Sequence, residues 1–389
     1  MSSISSKHGG KHRRAIAFAV AGLFASASLA ACGGGDDDTE KADENQIAVG
    51  EAPDYYPAEY ADLIKAAEGE GGELTIYSNT SEENWAPIFR DFKKKFTFIK
   101  KVSANDLDSD EVFQKVLSEQ ATGSSPVDLV VSNAAQAWAG FAARDGVLTE
   151  YESPELAKLP DFAQLLPSVF AMSMDPQLIA YNTSLMDKPT GIADLADKVA
   201  EDPGTFKDKV TVRDPESSFG YSVTQAFTEN DPDGAWASFE KLLPSTRPET
   251  SSGTQMEKIL SGEYLAGFFI SGGPAFPVVD DSDGLVDVVY PDDGTVILPR
   301  GIGIAADSPH PATAKLFLDF VLSEEGQRAV AEGGLSSYRE GISGPGLRTY
   351  QDAADAVGGE ENLVPVSYEE QPKAEIDAWL KKFYDLVGD

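Results

Sequence analysis

The fold follows from a short stretch of sequence, residues 74–83, which reads LTIYSNTSEE. Its first four residues form a largely apolar run, which predicts a short β-strand. The polar pair Ser78-Asn79 ends the strand, and Thr80-Ser81-Glu82-Glu83 has the spacing of a capping box that begins a helix. Apolar residues then recur every three or four positions from Trp85 to Phe96, which predicts the buried face of that helix.

The same strand, loop and helix order recurs along the chain. Residues 128–131 form an apolar strand that ends at Ser132-Asn133, and similar units follow at residues 209–220 and 265–274. Repeated units of this kind predict a parallel sheet, whose ligands bind beyond the carboxyl ends of the strands, near helix N-termini. One set of such loops precedes about residue 175 and another follows it. Two lobes that face each other across a cleft would use both sets.

The overall composition excludes several classes of protein. The chain has 389 residues, a formal net charge of −34 and a single cysteine. One cysteine cannot form an intrachain disulfide, a CxxC redox pair or a zinc cage of cysteines. The acidic excess argues against a nucleic-acid-binding protein, which needs a basic surface. At about 150 residues per domain, the length predicts two domains or slightly more.

The N-terminus has the features of an export signal. Residues 7–14 carry Lys and Arg without an acidic side chain, and residues 15–28 are small and apolar. The next four residues, Leu29-Ala30-Ala31-Cys32, resemble the lipobox of bacterial lipoproteins, in which the cysteine is lipidated. We therefore expect a lipoprotein signal peptide over residues 1–31 and a lipid anchor at Cys32. An ordinary signal peptide with an incidental cysteine is the alternative.

A polar segment follows the cysteine. Residues 33–53 contain few apolar side chains and an acidic run, Asp36-Asp37-Asp38, without the spacing of an EF-hand calcium site. Such a composition cannot bury enough apolar surface to order itself. We therefore expect residues 32–56 to be a flexible acidic tether between the membrane and the folded body.

The folded body resembles a known family, the bacterial extracellular solute-binding proteins of ABC importers. Within that family it is similar to the ferric-ion-binding and related type II periplasmic binding proteins. The segments that carry the resemblance are LTIYS (74–78), VDLV (127–130), LIAYN (178–182), SGE (261–263), YPDDGT (290–295), KLFLDF (315–320) and SEEGQ (323–327). Each segment is weak evidence alone, and their order and spacing make the resemblance specific.

The resemblance implies an α/β fold of the type II periplasmic-binding-protein class, with two α/β lobes joined by hinge strands around a ligand cleft. The expected parts are lobe 1 at residues 57–175 and 293–345, lobe 2 at 176–292, and C-terminal helices at 346–389 that pack on lobe 2. We expect a monomer.

The resemblance does not imply an iron site. In the ferric-binding members, iron is held by a histidine, a glutamate and two adjacent tyrosines, and these positions fall here on Ser81, Asn133 and Gly272-Gly273. Serine, amide and glycine do not replace the anionic oxygen ligands that Fe(III) favours. The adjacent pair Tyr55-Tyr56 lies upstream of the lobes, and His310, between two prolines, is interpreted as a surface turn residue. We expect neither a metal nor a cofactor.

The residues that bind an anion in the family's site have closer counterparts in this sequence. Ser217 stands at the family's phosphate-binding serine and Ser252 where an asparagine is usual. The N–H groups of a helix N-terminus bind anions, glycines admit close approach, and an arginine adds charge. The predicted ligand-binding residues are Asn79, Thr80, Ser81, Asn133, Arg213, Ser217, Ser218, Phe219, Ser252, Ser271, Gly272 and Gly273.

Purely structural roles for these residues are also consistent with the sequence. Ser217-Ser218 could be a plain helix cap, Gly272-Gly273 a tight turn before Pro274, and Arg213 the partner of Asp214 or Glu216 in an ion pair.

The predicted function is that of a lipid-anchored solute receptor on the outer face of the cytoplasmic membrane. It would capture a small organic anion, such as a phosphonate, phosphate ester or carboxylate, and deliver it to the permease and ATPase subunits of an ABC importer. Lobe closure, and no chemical step, would be the mechanism. The alternatives are ferric iron or an iron chelate as ligand, and an anchored extracellular hydrolase. The sequence has no HExxH motif and no nucleophile elbow, so we do not expect an enzyme.

Overall fold

The computed structural model describes residues 53–388. The predicted signal peptide, Cys32 and nearly all of the predicted tether therefore lie outside the described residues. Within residues 53–388, no helix is both long enough and apolar enough to span a membrane.

The described chain alternates strands and helices, as the repeated units predict. The strands are β1 Glu73–Ser78, β2 Lys101–Asp106, β3 Leu129–Ser132, β4 Gln164–Leu166, β5 Val169–Asn182, β6 Val210–Arg213, β7 Thr246–Glu249, β8 Ala266–Ser271, β9 Val286–Val289, β10 Thr295–Ile304 and β11 Leu363–Pro365. The helices are α1 Tyr60–Gly69, α2 Glu82–Lys95, α3 Glu111–Thr122, α4 Ala135–Ala142, α5 Ile192–Glu201, α6 Pro203–Phe206, α7 Ser218–Asn230, α8 Pro232–Leu242, α9 Ser252–Leu260, α10 Gly272–Asp281, α11 Pro311–Leu322, α12 Glu324–Glu332, α13 Tyr350–Val357 and α14 Lys373–Tyr384.

Eight of the eleven strands form one path in the order β2-β1-β3-β10-β5-β8-β6-β7, while β11 pairs with β10, and β4 and β9 pair with β5. In the first lobe, β1 runs parallel to β2 and β3, and β10 is antiparallel to β3. In the second lobe, β6 runs parallel to β7 and β8. The lobes are joined by β5, a strand that is buried along its whole length. Its first half, up to Pro176, pairs with β10, and its second half pairs with β8 and β9. The predicted class, two α/β lobes joined by hinge strands, is confirmed.

The apolar stripe of α2 lies in the core of the first lobe. Trp85, Ile88 and Phe92 are fully or almost fully buried. They pack with Phe317 and Phe320 of α11, and the Phe92 and Phe317 rings meet edge to face with their centroids 4.9 Å apart. At about 25 cal/mol for each Å² of apolar surface buried, such a cluster is a main source of the lobe's stability.

The C-terminal helices pack against two different surfaces. Ala353 and Ala354 of α13 lie in a small cluster with Ala171 and Met174, from the first half of β5. Helix α14 contacts the second lobe, where the Trp379 ring packs 5.7 Å from that of Trp236 on α8, measured between centroids. The C-terminal segment thus reaches both halves of the molecule.

Candidate ligand-binding cleft

A cavity of about 460 Å³ lies between the two lobes, at the carboxyl ends of their parallel strands. It is lined by Asn79, Thr80, Ser81, Asn84, Asp106, Leu107, Asp108, Ser109, Glu111, Asn133, Arg213, Phe219, Ser251, Ser252, Gly253, Ser271, Pro274 and Arg300. The first lobe contributes the loops that follow β1, β2 and β3, and the second lobe contributes those that follow β6, β7 and β8. This is the position that the strand–loop–helix pattern predicts for a ligand.

Arg300, on β10 in the first lobe, organises the wall of that lobe. Its Nη1 donates to Asn79 Oδ1 at 2.9 Å and to Thr80 Oγ1 at 3.0 Å. Its Nη2 donates to Asp175 Oδ2 at 3.3 Å, and both charged side chains of this ion pair are buried. Asn79 in turn donates through Nδ2 to Asn133 Oδ1 at 2.7 Å. One arginine therefore holds three of the predicted binding residues in a connected network.

The capping box predicted at residues 80–83 does not form. Helix α2 has Ser81 as its N-cap, and that residue accepts no capping hydrogen bond with its side chain. The Ser81 hydroxyl instead donates to Asn84 Oδ1 at 2.8 Å, and the Thr80 hydroxyl accepts from Arg300. The interaction with a buried guanidinium replaces the local cap, because a charged donor makes a stronger hydrogen bond than a backbone N–H.

Arg213, at the end of β6, lies on the wall of the second lobe. Its guanidinium stacks on Phe219, with 4.9 Å between Cζ and the ring centroid. The residue is only 9% exposed, and its Nε is buried without a hydrogen-bond partner in the part of the chain that the structure describes. Burial lowers the pKa of Arg213 to about 10, although the carboxylates of Asp108, Asp110 and Asp214 act in the opposite direction.

The ion pair that was the alternative reading of Arg213 is therefore not found. Among the described residues, neither Asp214 nor Glu216 forms a salt bridge with this guanidinium. Asp214 Oδ1 accepts instead from the backbone N–H of Glu216 at 2.9 Å and from the hydroxyl of Tyr384. A buried arginine that keeps free N–H groups beside a cavity is poised to bind an anion.

Serine side chains complete the wall of the second lobe. Ser251 is the N-cap of α9 and accepts from Thr254 N at 3.0 Å. Ser252 Oγ accepts from Ser271 N at a long 3.4 Å. Ser271 is the N-cap of α10, and its own hydroxyl is buried with no partner among the described residues. Arg213 and Ser271 both line the cavity, and each thus has one buried donor atom without a partner among the described residues.

Eight of the twelve predicted binding residues line this cavity and four do not. The eight are Asn79, Thr80, Ser81, Asn133, Arg213, Phe219, Ser252 and Ser271. The remaining four are Ser217, Ser218, Gly272 and Gly273. Their surroundings explain the difference.

The N-terminus of α7, at Ser217 and Ser218, already holds a carboxylate of this chain. Ser217 is the N-cap, with its hydroxyl accepting from Gly220 N at 3.1 Å. The backbone N–H of Ser218 donates to Asp110 Oδ2 at 3.0 Å, and Asp110 belongs to the opposite lobe. The helix end does bind an anion, but that anion is a side chain.

The two glycines serve packing. A Cβ on Gly272 would lie 2.6 Å from a ring carbon of Phe276, and one on Gly273 would lie 3.0 Å from Leu335 Cδ2. The absence of side chains therefore admits neighbouring apolar groups, and neither glycine is among the residues that line the cavity.

Several lining residues are absent from the sequence-based prediction. They are Asn84, Asp106, Leu107, Asp108, Ser109, Glu111, Ser251, Gly253, Pro274 and Arg300. The sequence contains a feature that could have identified Arg300. It is the one charged residue in the apolar run TVILPRGIGI, and a buried charge requires a partner.

The remaining candidates for metal ligation lie elsewhere. His310 is the N-cap residue of α11, and its Nδ1 lies 3.2 Å from the Asp128 carboxylate. Tyr55 and Tyr56 both donate to Glu155, away from the cleft. Within residues 53–388, no group of three or more His, Cys, Asp or Glu side chains is placed to hold a metal ion.

Comparisons with known proteins agree with this architecture. The iron uptake protein A1 of Synechocystis sp. is 24% identical over 285 residues, which cover 68% of this chain and 75% of that protein. The substrate binding protein of an ABC transporter from Agrobacterium tumefaciens superposes with a TM-score of 0.73 at 18% identity, covering 82% of this chain and 94% of that one. The periplasmic binding protein AfuA from Actinobacillus pleuropneumoniae, with fructose-6-phosphate bound, gives a TM-score of 0.61 at 21% identity, covering 80% and 99%.

The family follows from the sequence. A profile described as bacterial extracellular solute-binding protein matches residues 88–347, which is more than half of the chain. That family implies a small-molecule ligand, an ABC permease as partner and a location outside the cytoplasm. The chain therefore belongs to the bacterial extracellular solute-binding proteins, the family that provides the substrate-binding components of ABC importers.

Proposed function

We propose that the imported solute is a small organic anion, such as a phosphonate, a phosphate ester or a carboxylate, bound between the lobes. The observation that carries the proposal is the pair of buried arginines in the cavity, Arg213 and Arg300, each with an Nε that has no partner among the described residues. Burying a charged group without full hydrogen bonding is costly, so such groups are rarely left incomplete without a functional reason.

The seat of the anion differs from the one that the sequence predicts. Arg213, Ser252 and Ser271 would contact it from the second lobe, and Arg300 from β10 of the first lobe. Asn79, Thr80 and their neighbours in the first lobe would meet the rest of the solute. A ligand that contacts both walls stabilises the closed arrangement by its differential affinity for it, and the closed lobes are what a permease recognises.

Native mass spectrometry of the purified protein tests this assignment directly, through the mass of any co-purified solute. A thermal-shift panel of fructose-6-phosphate, propylphosphonate, butanoate and inorganic phosphate follows, because a ligand of the native state raises the apparent stability. We expect Arg213→Met to reduce the shift strongly. Arg144→Met, which removes the same charge from an exposed site, is the matched control and should keep it. Equal shifts in both variants would contradict the proposed seat.

Iron, free or chelated, is the second candidate, because the curated relative is an iron uptake protein. The cavity offers Asp106, Asp108 and Glu111 as oxygen donors, and neither tyrosine nor histidine is among its lining residues. Loss of the bound species on treatment with a chelator would favour iron. Retention of the solute in the presence of a chelator supports the organic anion.

We also propose that Cys32 carries the lipid anchor and that residues 1–31 are removed on export. Support comes from the basic, apolar and small-residue segments in sequence order before this single cysteine. Several acyl chains at about 0.8 kcal/mol for each buried CH₂ would give stable anchoring. Cys32→Ser should shift the protein from the detergent phase to the aqueous phase on phase partitioning. Unchanged partitioning would refute the anchor.

The proposed role involves binding without turnover. The family and the structural relatives named above are binding proteins. Incubation of the purified protein with the identified solute should leave its mass unchanged. In dilute solution we expect a monomer, which sedimentation velocity would test.

A further inference from the structure

The loop between β2 and α3 places carboxylates in the same cavity as the two arginines. Asp106, Asp108 and Glu111 all line it. Among the described residues none of the three forms an ion pair, and the Asp106 and Asp108 carboxylates accept no hydrogen bond. Glu111 accepts only from the Asp108 backbone N–H, at 3.4 Å. The β2–α3 loop thus brings negative charge to the cavity wall that the described chain does not neutralise.

A second hollow of about 590 Å³ adjoins the first and shares Asp108, Ser109, Glu111 and Arg213 with it. Its further acidic lining residues are Asp110, Asp214 and Glu216, and Arg213 is the one cation among its lining residues. Asp110 and Asp214 are occupied by the hydrogen bonds described above. Asp108 and Glu111 are therefore the carboxylates that face both hollows without a strong partner.

The positive and negative groups lie near each other without joining. Asp108 is close enough to Arg213 to act on its pKa, yet the two form no salt bridge. Burial raises the pKa of Asp106, and the carboxylates of Asp108 and Glu83 add to the rise. Opposite charges on facing walls leave space between them, and a solute with both charges would complement both walls.

We propose that the solute is a zwitterion, with its anionic group at Arg213 and Ser271 and a cationic amine at Asp108 and Glu111. The inference rests on the proposed function and adds the second charge to it. The three carboxylates do not stand alone, because Arg213 and Ser271 line the same cavity and their buried Nε and Oγ atoms have no partner among the described residues.

Isosteric probes separate this inference from the proposed function. 2-Aminoethylphosphonate and propylphosphonate differ by an ammonium in place of a methyl group, and β-alanine and butanoate differ in the same way. In the probe pair that binds more tightly, isothermal titration calorimetry should give the amine-containing compound an affinity about tenfold higher than that of its methyl analogue. A difference of this size is expected for a charge-assisted hydrogen bond that is partly exposed. In the double variant Asp108→Asn with Glu111→Gln, the ratio of the two affinities should fall to about one, while the affinity for the methyl probe stays unchanged or rises.

The control variant, Asp161→Asn with Glu201→Gln, removes two exposed acidic charges outside the cavity and should keep the tenfold preference. If the paired probes bind equally, the solute is an anion without the amine, and only this inference fails. A preference that survives Asp108→Asn with Glu111→Gln would also overturn it. If none of the four probes binds, the site does not take small organic anions and both proposals fail.

Discussion

The cleft and a second polar cluster both bury arginine and carboxylate side chains, and they differ in how completely those groups are paired. The second cluster, called the tyrosine cluster here, lies where the segment before α1 meets the first lobe. It consists of Tyr55, Tyr56, Tyr60, Tyr151, Ser153, Glu155, Asp319 and Arg339.

In the tyrosine cluster every buried carboxylate has several donors. Glu155 is fully buried and accepts from Tyr55, from Tyr56 and, at 2.6 Å, from Arg339 Nη1. Asp319 is also fully buried and accepts from Tyr60 at 2.9 Å and from Tyr151 at 2.6 Å, with Ser153 as a third donor. In the cleft, by contrast, Arg213 Nε, Arg300 Nε and Ser271 Oγ have no partner among the described residues.

A structural polar cluster and a binding site differ in how completely their buried groups are paired. Both have buried charges and both adjoin a hollow, since the tyrosine cluster lies beside one of about 570 Å³. Burial therefore does not separate them, and the degree of pairing does. A complete set of hydrogen bonds holds the fold together, whereas incomplete pairing of buried groups on cavity-lining residues points to a binding site. On this basis, loss of a group should reduce stability in one region and affinity in the other.

The largest expected effect is a loss of stability on Glu155→Ala. The substitution leaves Arg339 buried without its partner, which typically costs about 3–5 kcal/mol. Urea unfolding followed by circular dichroism should show this loss, with unchanged solute affinity in the folded fraction. Glu152→Ala, at an exposed position nearby, is the control and should lie within about 0.5 kcal/mol of the wild type. If Glu155→Ala weakened binding and kept stability, the assignment of the two regions would be reversed.

The pH dependence of stability offers the next largest effect. Burial raises the pKa of Asp319 from 3.8 to about 6, against the hydrogen bonds from Ser153, Tyr151 and Tyr60, which lower it. The folded state therefore binds this proton more tightly than the unfolded state. The contribution of Asp319 to the free energy of unfolding has its maximum value below about pH 4. It decreases by about 3 kcal/mol as the pH rises through about 6.

The Asp319→Asn variant isolates this contribution, because its amide does not titrate. The difference in the free energy of unfolding between wild type and variant should decline from pH 4 to pH 6 and be flat above pH 7. Urea titrations at each pH measure it. A difference that is constant from pH 4 to pH 7 would show that Asp319 is ionised throughout that range in the folded protein.

Arg213→Met should show the opposite pattern from Glu155→Ala. It removes a buried guanidinium that has no hydrogen-bond partner within residues 53–388, so the free energy of unfolding should stay within about 1 kcal/mol of the wild type or rise. The affinity for the solute should fall by about 1.5–3 kcal/mol, the value of a hydrogen bond to a charged group. Calorimetry and urea unfolding on the same preparation measure both quantities. A marked loss of stability would place Arg213 with the structural groups.

Much of the architecture could be predicted from the sequence, because strand–loop–helix units are local. Residues 74–83 do form a strand and the start of α2. The cleft also lies at the strand ends where Asn79, Asn133 and Ser271 were expected. These predictions need only the hydrophobic period and the rule that parallel strands present their carboxyl ends together.

Side-chain pairing between distant segments could not be predicted. Arg300 takes the Thr80 hydroxyl from across more than two hundred residues of sequence, and this contact removes the expected cap. Asp110 likewise reaches the N-terminus of α7 from the other lobe. The tyrosine cluster joins Tyr55 to Glu155 and Arg339, three segments without a shared motif. Local patterns identify which helix ends can bind anions, and only the folded chain decides whether a side chain or a solute does so.

The smallest expected effect comes from substitution of Asp110, a residue that is paired and also lies beside the cleft. Its carboxylate caps α7 across the cleft by accepting from Ser218 N, so it belongs to the paired class although it lines a hollow beside Arg213. Asp110→Ala removes an inter-lobe hydrogen bond of the capping type, which is worth about 1 kcal/mol. If that energy favours the closed arrangement, the affinity for the solute should fall about fivefold, and the radius of gyration of the free protein from solution scattering should increase. Asp108→Ala, without a partner to lose, should not change that radius. A rise in affinity would instead mean that the freed N–H groups at Ser217 and Ser218 bind the solute's anionic group. Asp110 would then compete with the solute for the binding position that the sequence predicts.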